Sequence, residues 1–168
     1  MRRVVFILAA LIALVLRTDP ALAGEHVAGA IRISDLWARA TPKGARTGSA
    51  YMTLTNTGSE ADRLVGGTAE PSRAFELHRM SMDGGIMKMR AVSGGIAIGP
   101  GQTVQLEPGG YHAMLIDLKE ALLSGQRFKG TLVFEKAGTV EVEYEIRAVG
   151  AGAGTAPAKG GHGGHHGK

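Results

Sequence analysis

The sequence predicts an all-β fold, a two-sheet Greek-key β-sandwich followed by a disordered C-terminal tail. Three observations lead there. From Ile31 onward the chain is a series of short, alternating, β-branched runs divided by glycine, proline and polar turn residues, and alternation at a period of two marks half-buried strands. No stretch within that region holds a helical period of apolar residues. From Gly150 the composition changes to Gly, Ala, Thr, Pro, Lys and His, which cannot bury a core.

Taken in order, the chain opens with Arg2 and Arg3 ahead of an apolar run from Val4 to Leu16. That run is too short to span a bilayer. Pro20 and then Ala21-Leu22-Ala23 supply the helix break and the small-x-small cleavage pattern of a secretory signal peptide. Residues 1–23 are therefore expected to be removed on export to the periplasm, leaving a single folded domain over 24–149 and a flexible tail over 150–168. Strands are predicted at 31–37, 50–56, 63–66, 75–82, 86–92, 103–106, 111–117, 131–135 and 139–147. Nine short strands suit a sandwich. The clearest hairpins turn around Asp83-Gly84-Gly85 and Lys136-Ala137-Gly138, where glycine supplies the positive φ that tight turns need.

Charge and cysteine content exclude several functions. Of 19 basic and 15 acidic side chains, the leader removes Arg2, Arg3, Arg17 and Asp19, leaving 16 against 14; that near-balance is no nucleic-acid signature. There is no cysteine. Thiolate chemistry is thus excluded, including a blue-copper electron-transfer site, a CxxC redox pair, a cysteine zinc site and a cysteine nucleophile. No Ser/His/Asp or paired-carboxylate arrangement stands out either.

The chemistry-bearing residues cluster. Met80, Met82, Met87, Met89 and Met114 lie in one window with His78 and His112. Residues two apart on a strand share a face, so His78, Met80 and Met82 point one way, Met87 and Met89 point together, and so do His112 and Met114. With Asp83 and Gly84 at the centre of a two-residue turn, His78 would face Met89 and Met80 would face Met87, placing five donors on one face. Thioether sulfur suits Cu(I), and imidazole accepts copper in either oxidation state, so a His/Met set without carboxylates selects copper over Zn, Mg or Ca. Core filling by methionine is the competing account; by pattern alone the two stand about level.

The stretch Glu76-Leu77-His78 through Met80, Met87-Lys88-Met89-Arg90, and Pro108-Gly109-Gly110-Tyr111-His112-Ala113-Met114-Leu115 resembles the PCuAC-type periplasmic copper chaperones. Their motif is a histidine, ten residues, a methionine, about twenty-one residues, then His-x-Met; here the second gap is one residue longer, and the extra residue is expected in the Ser93-Gly94-Gly95 loop. Leu36-Trp37-Ala38-Arg39, Ala50-Tyr51-Met52 and Asn56 also fit, so the resemblance runs from about Ala30 to Val149. It implies a cupredoxin-like sandwich in which His78, Met89, His112 and Met114 hold Cu(I) for delivery towards the copper A centre of cytochrome c oxidase, with its subunit II as recipient and often alongside a Sco-type thiol protein. Met80, Met82 and Met87 have no assigned role in that set; Trp37, Tyr51 and Tyr111 read as packing residues. Periplasmic copper storage or detoxification, an exported copper enzyme, and a metal-free adhesion module are the other functions weighed.

Two places outside the window suit Cu(II). His162, His165 and His166 sit among glycines in the tail, and clustered imidazoles on adaptable backbone favour tetragonal nitrogen ligation. Cleavage after Ala23 would also free Gly24-Glu25-His26, whose amine, two amides and imidazole make a square-planar set. Truncation after Val149 should abolish most of the Cu(II) signal in electron paramagnetic resonance and leave Cu(I) titration intact. Replacing His26 in the truncated protein should remove what remains. Unchanged Cu(II) binding after both changes would reject both accessory sites.

Overall fold

The computed structural model describes residues 25–152, and every regular element in it is a strand. They are β1 (His26–Ala28), β2 (Ile31–Arg39), β3 (Thr47–Asn56), β4 (Asp62–Ala69), β5 (Ala74–Asp83), β6 (Ile86–Ala91), β7 (Ile96–Ile98), β8 (Thr103–Leu106), β9 (Tyr111–Ile116), β10 (Arg127–Phe134) and β11 (Gly138–Arg147). Each of the nine expected strands is present. The two that the sequence did not announce, β1 and β7, have three residues each, too few to display an alternation.

The expected two sheets are joined into one open hydrogen-bonded path, in the order β6-β5-β9-β8-β3-β2-β11-β10-β4-β7, with β1 paired to β2. The join is made by β11, which pairs parallel to β2 over Trp37, Ala38 and Arg39. Inward-facing residues from both halves share one core: Ile31, Ile33, Met52, Leu54 and Leu115 meet Leu64, Leu132, Phe134, Val142 and Tyr144. Met52, buried to 1% exposure, is the one methionine among the described residues that lies outside the window, and it fills that core.

A bulge in β2 matters for what lies on the other face. The β2–β3 register shifts by one residue between Ser34 and Trp37, with Asp35 at φ 50°. The extra residue reverses the parity of the strand. Ala38 then points into the core opposite Ala50, while Trp37 sits opposite Tyr51 on the outer face, where the two rings pack at 4.4 Å between centroids.

The β5–β6 hairpin corrects the expected turn. Its central residues are Gly84 and Gly85, at φ 58° and 81°, not Asp83 and Gly84. A type I′ turn needs positive φ at both central positions, and Gly-Gly meets that without the steric cost that Asp83 would bear. The strands accordingly pair Met80 with Met89, Met82 with Met87, and His78 with Ala91. His78 is therefore not opposite Met89, nor Met80 opposite Met87. Because the turn moved by one residue, partners moved by two and side-chain parity survived. His78, Met80, Met82, Met87 and Met89 still share one face. The Val92 N–H donates to the Leu77 carbonyl at 2.8 Å, which makes the odd positions of β5 the hydrogen-bonded ones towards β6. Met80–Met89 and Met82–Met87 are thus non-hydrogen-bonded pairs, with Cα atoms about 4.5 Å apart.

That register has a direct test. In a chain with no native cysteine, the double variant Met82→Cys/Met87→Cys should oxidise to an intrachain disulfide readily, since its Cα spacing lies within the range that a disulfide bridges. Met80→Cys/Met87→Cys should oxidise far more slowly. Faster crosslinking of the second pair, read by mass spectrometry after mild oxidation, would restore the Asp83-Gly84 turn.

Candidate metal centre

Strands β6, β5 and β9 form one end of the path, and their shared outer face carries the site. Leu77 of β5, with Ala113 and Leu115 of β9, point into the core, which turns Glu76, His78, Met80, His112 and Met114 outward. The β5–β9 register puts His78 directly opposite His112 and Glu76 opposite Met114. It is secured by the Met80 N–H donating to the Gly110 carbonyl at 3.0 Å. Met89 lies on the far side of β5, opposite Met80, and so sits diagonal to His78. Met114 is flanked by Ser49 of β3. The structure therefore brings His78, Met89, His112 and Met114 onto one face around a central His78.

The two imidazoles are held differently. Their ring centroids are 5.8 Å apart, with planes inclined at 53°. His78 Nε2 lies 2.8 Å from a Glu76 carboxylate oxygen. With the Nε2 proton donated there, the lone pair is on Nδ1, and Nδ1 is buried without a hydrogen-bond partner. A buried polar atom left unpaired is costly, so a cation bound at this lone pair would relieve that cost. His112, 5% exposed, has Nδ1 3.3 Å from the Gly110 carbonyl; donation there leaves Nε2 as its lone-pair nitrogen. In each ring one nitrogen is anchored by an oxygen acceptor and the other is free to bind a cation, the outer-shell pattern that orients metal-ligating histidines.

Burial pushes the His112 pKa below its ordinary value, opposed by the Gly110 carbonyl and reinforced by the neighbouring His78. Neutral imidazole is the ligand form, so the environment favours the state that binds. Among the described residues no three His, Cys, Asp or Glu side chains come together, so any multidentate site on this face must recruit thioethers. Met89 is 47% exposed and Met114 is partly buried, and neither is part of the core cluster.

The other candidate residues fall elsewhere. His26 is in β1 opposite Ile33, with neighbouring Glu25 ion-paired to Arg32 at 2.7 Å. His162, His165 and His166 lie outside the described residues. Ser93, Gly94 and Gly95 form the connection from β6 to β7, where the Gly94 carbonyl accepts from the Arg63 guanidinium at 2.8 Å, so that loop is tied to β4 and not to the ligand face. Glu76 is the residue touching His78 that donor counting passed over; its position two residues before His78 on the same strand face was the available signal.

Fold and site together define the class: an all-β, cupredoxin-like domain bearing a histidine–methionine cluster on an outer sheet face. The chain belongs to the family described as "Putative lipoprotein LpqE-like", which matches residues 31–146. It is 32% identical over 120 residues to "Putative lipoprotein Lxx21020" of Leifsonia xyli subsp. xyli, covering 71% of each chain. Its solved neighbours include PCuAC domains. The copper-bound PCuAC domain from PmoF2 is 31% identical at a TM-score of 0.62, covering 74% of this chain and 97% of that one. The solution structure of CuI-DR1885 from Deinococcus radiodurans is 28% identical at a TM-score of 0.57, covering 76% and 83%. No helix among the described residues is long and apolar enough to cross a membrane.

The displaced proton equilibrium of His112 has a measurable sign. Its folded-state pKa lies below the ordinary histidine value of about 6.5, so on acidification the unfolded chain takes up this proton first. The contribution to stability is complete above about 6.5 and declines as pH falls through that value towards the folded-state pKa. Ring proton resonances of His112 should titrate below the ordinary histidine value, with the urea midpoint of the metal-free protein falling over the same range. A His112 titration at or above the ordinary value contradicts this environment.

Proposed function

We propose that this protein is an exported periplasmic copper chaperone, which binds Cu(I) through His78, Met89, His112 and Met114 and delivers it towards the copper A centre of cytochrome c oxidase or another cuproenzyme. The observation that carries the reading is the buried, unpartnered Nδ1 of His78 on a residue directly opposite a second histidine across the strand pair. Two neutral imidazoles and two thioethers are the donor set that softness assigns to Cu(I). The likeness to a copper-bound PCuAC domain and to a Cu(I) form of DR1885 supports the same ion.

The chemistry suits carriage and not turnover. All four donors are neutral, so a bound Cu(I) keeps its positive charge and is held less tightly than thiolates would hold it. An acceptor presenting thiolates therefore draws the ion downhill. Glu76 and the Gly110 carbonyl fix the two imidazoles before the ion arrives, which lowers the ordering cost of binding. Met89, on the sheet-edge strand β6 and half exposed, is the donor that an incoming partner reaches first. Ligand exchange then begins at a thioether while both histidines still hold.

The tail histidines supply an accessory Cu(II) site in this reading. The described chain ends at Gly152, packed against Trp37 and Pro108, on the outer face that Trp37 shares with Tyr51 and, through β3, with Met114. His162 begins only ten positions further on. The amino-terminal alternative at Gly24-Glu25-His26 requires the backbone of His26 to leave its ladder with Ile33, which places it second to the tail.

Cu(I) affinity measured against a competing chelator tests the ligand set. Met89→Ala and Met114→Leu should each weaken binding by more than about tenfold, and Met52→Leu by less than about twofold. Glu76→Gln should cost about tenfold through the freed His78 ring. Affinity should fall on acidification as protons compete for the imidazoles, with the His112 share of the loss beginning below about 6.5. Equal effects at Met52, Met89 and Met114 would sink the assignment.

A further inference from the structure

Beyond the four-donor cluster, the β5–β6 hairpin carries three more thioethers on the same face. Met82 and Met87 are a facing, non-hydrogen-bonded pair one step from the turn, and Met80 with Met89 is the next such pair towards the histidines. Met82 is 65% exposed and Met87 51%, against 1% for Met52. Methionine placed to fill a core is buried, so packing does not account for the tip pair. The face carries no carboxylate at this level: Asp83 projects from the opposite face, where it holds the Lys88 ammonium at 2.6 Å. What remains is a set of neutral sulfur donors in water, at the end of a hairpin whose Gly84-Gly85 turn fixes their register.

We propose that Met82 and Met87, with Met80 as third donor, form a second and weaker site for a soft monovalent cation, Cu(I) or Ag(I), at the hairpin tip. It deepens the copper reading and rests on it for the identity of the ion. Three thioethers match such ions in softness and demand no proton release. The tip pair stands two residues along the strands from Met80–Met89, about 7 Å. Met80 lies between the two sets and can serve either. An ion thus passes between tip and histidines by exchanging one sulfur at a time, with no change of oxidation state and no unligated step. The tip site is the weaker because it lacks imidazole and because a second cation near the first is repelled.

The test uses the full chain, labelled with 13C at its methionine methyl groups and titrated anaerobically with Cu(I) supplied as its acetonitrile complex. The histidine tail carries no methionine, so binding there leaves this readout silent. The Met89 and Met114 methyl resonances should move with the first equivalent, and those of Met82 and Met87 with the second. Met82→Leu/Met87→Leu should leave the first event unchanged and weaken the second by about tenfold or more. Response of Met82 and Met87 while Met89 and Met114 stay still would reject the four-donor assignment and keep the tip site. Unmoved Met82 and Met87 resonances after a normal first event, movement of all four with the first equivalent, or a second event that survives the double variant would each overturn the tip site.

Discussion

The backbone pairing of β5 with β9 is the constraint on which the site depends. It sets His78 opposite His112, and everything else on the outer face takes its position from that row. One residue of slip between the two strands would put the imidazoles on opposite faces of the sheet, sending one into the core and bringing its apolar neighbour, Leu77 or Ala113, to the surface. The slip is opposed from the core side, where Leu77, Ala113 and Leu115 are all buried within the common cluster. Apolar burial on one face thus holds polar ligands in register on the other. The energy that positions the site comes from residues that never touch it.

The same face is organised as a gradient of burial. At its interior, Trp37 and Tyr51 are buried and packed with their rings tilted by 35°, with the Arg147 guanidinium over the Trp37 ring at 5.4 Å. His112 comes next, buried, then the half-buried His78, and finally the exposed thioethers of β6. Desolvation favours the neutral form of His112, while exposure at the edge leaves the sulfur donors within reach of a partner. A wholly buried cluster would hold an ion and not release it. A wholly exposed one would lose the bias towards neutral imidazole. The cationic side chains of β6, Lys88 and Arg90, also guard the free edge of the sheet against pairing with another strand.

Legibility in the sequence followed the physical range of each determinant. Strand identity rests on local alternation, and all nine expected strands are present. The grouping of His78, Met80, Met82, Met87 and Met89 on one face survived even though the turn was placed one residue early, because parity is insensitive to a shift of two in the partners. The partners themselves differ from the expected ones because the φ preference at Gly85 outweighs the Asp-Gly pattern. The strands β1 and β7 escaped because three residues carry no period, and they form only where a neighbouring edge is available to them.

By itself the sequence determined the all-β class, the concentration of soft donors between His78 and Met114, the exclusion of thiolate chemistry, and the faces on which those donors lie. All of these are properties of composition and of a two-residue period. Only the tertiary structure decided that His78 and His112 are neighbours, that Glu76 and the Gly110 carbonyl each anchor one ring, that Nδ1 of His78 is left without a partner, and that Met52 is core while Met82 and Met87 stand in water. The His78–His112 pairing joins segments some thirty residues apart, and the ring anchors, the unpartnered nitrogen and the burial of Met52 depend on side-chain placement and on the whole core. Contacts of that separation are selected by the collective packing of both sheet halves, which no local window of sequence contains.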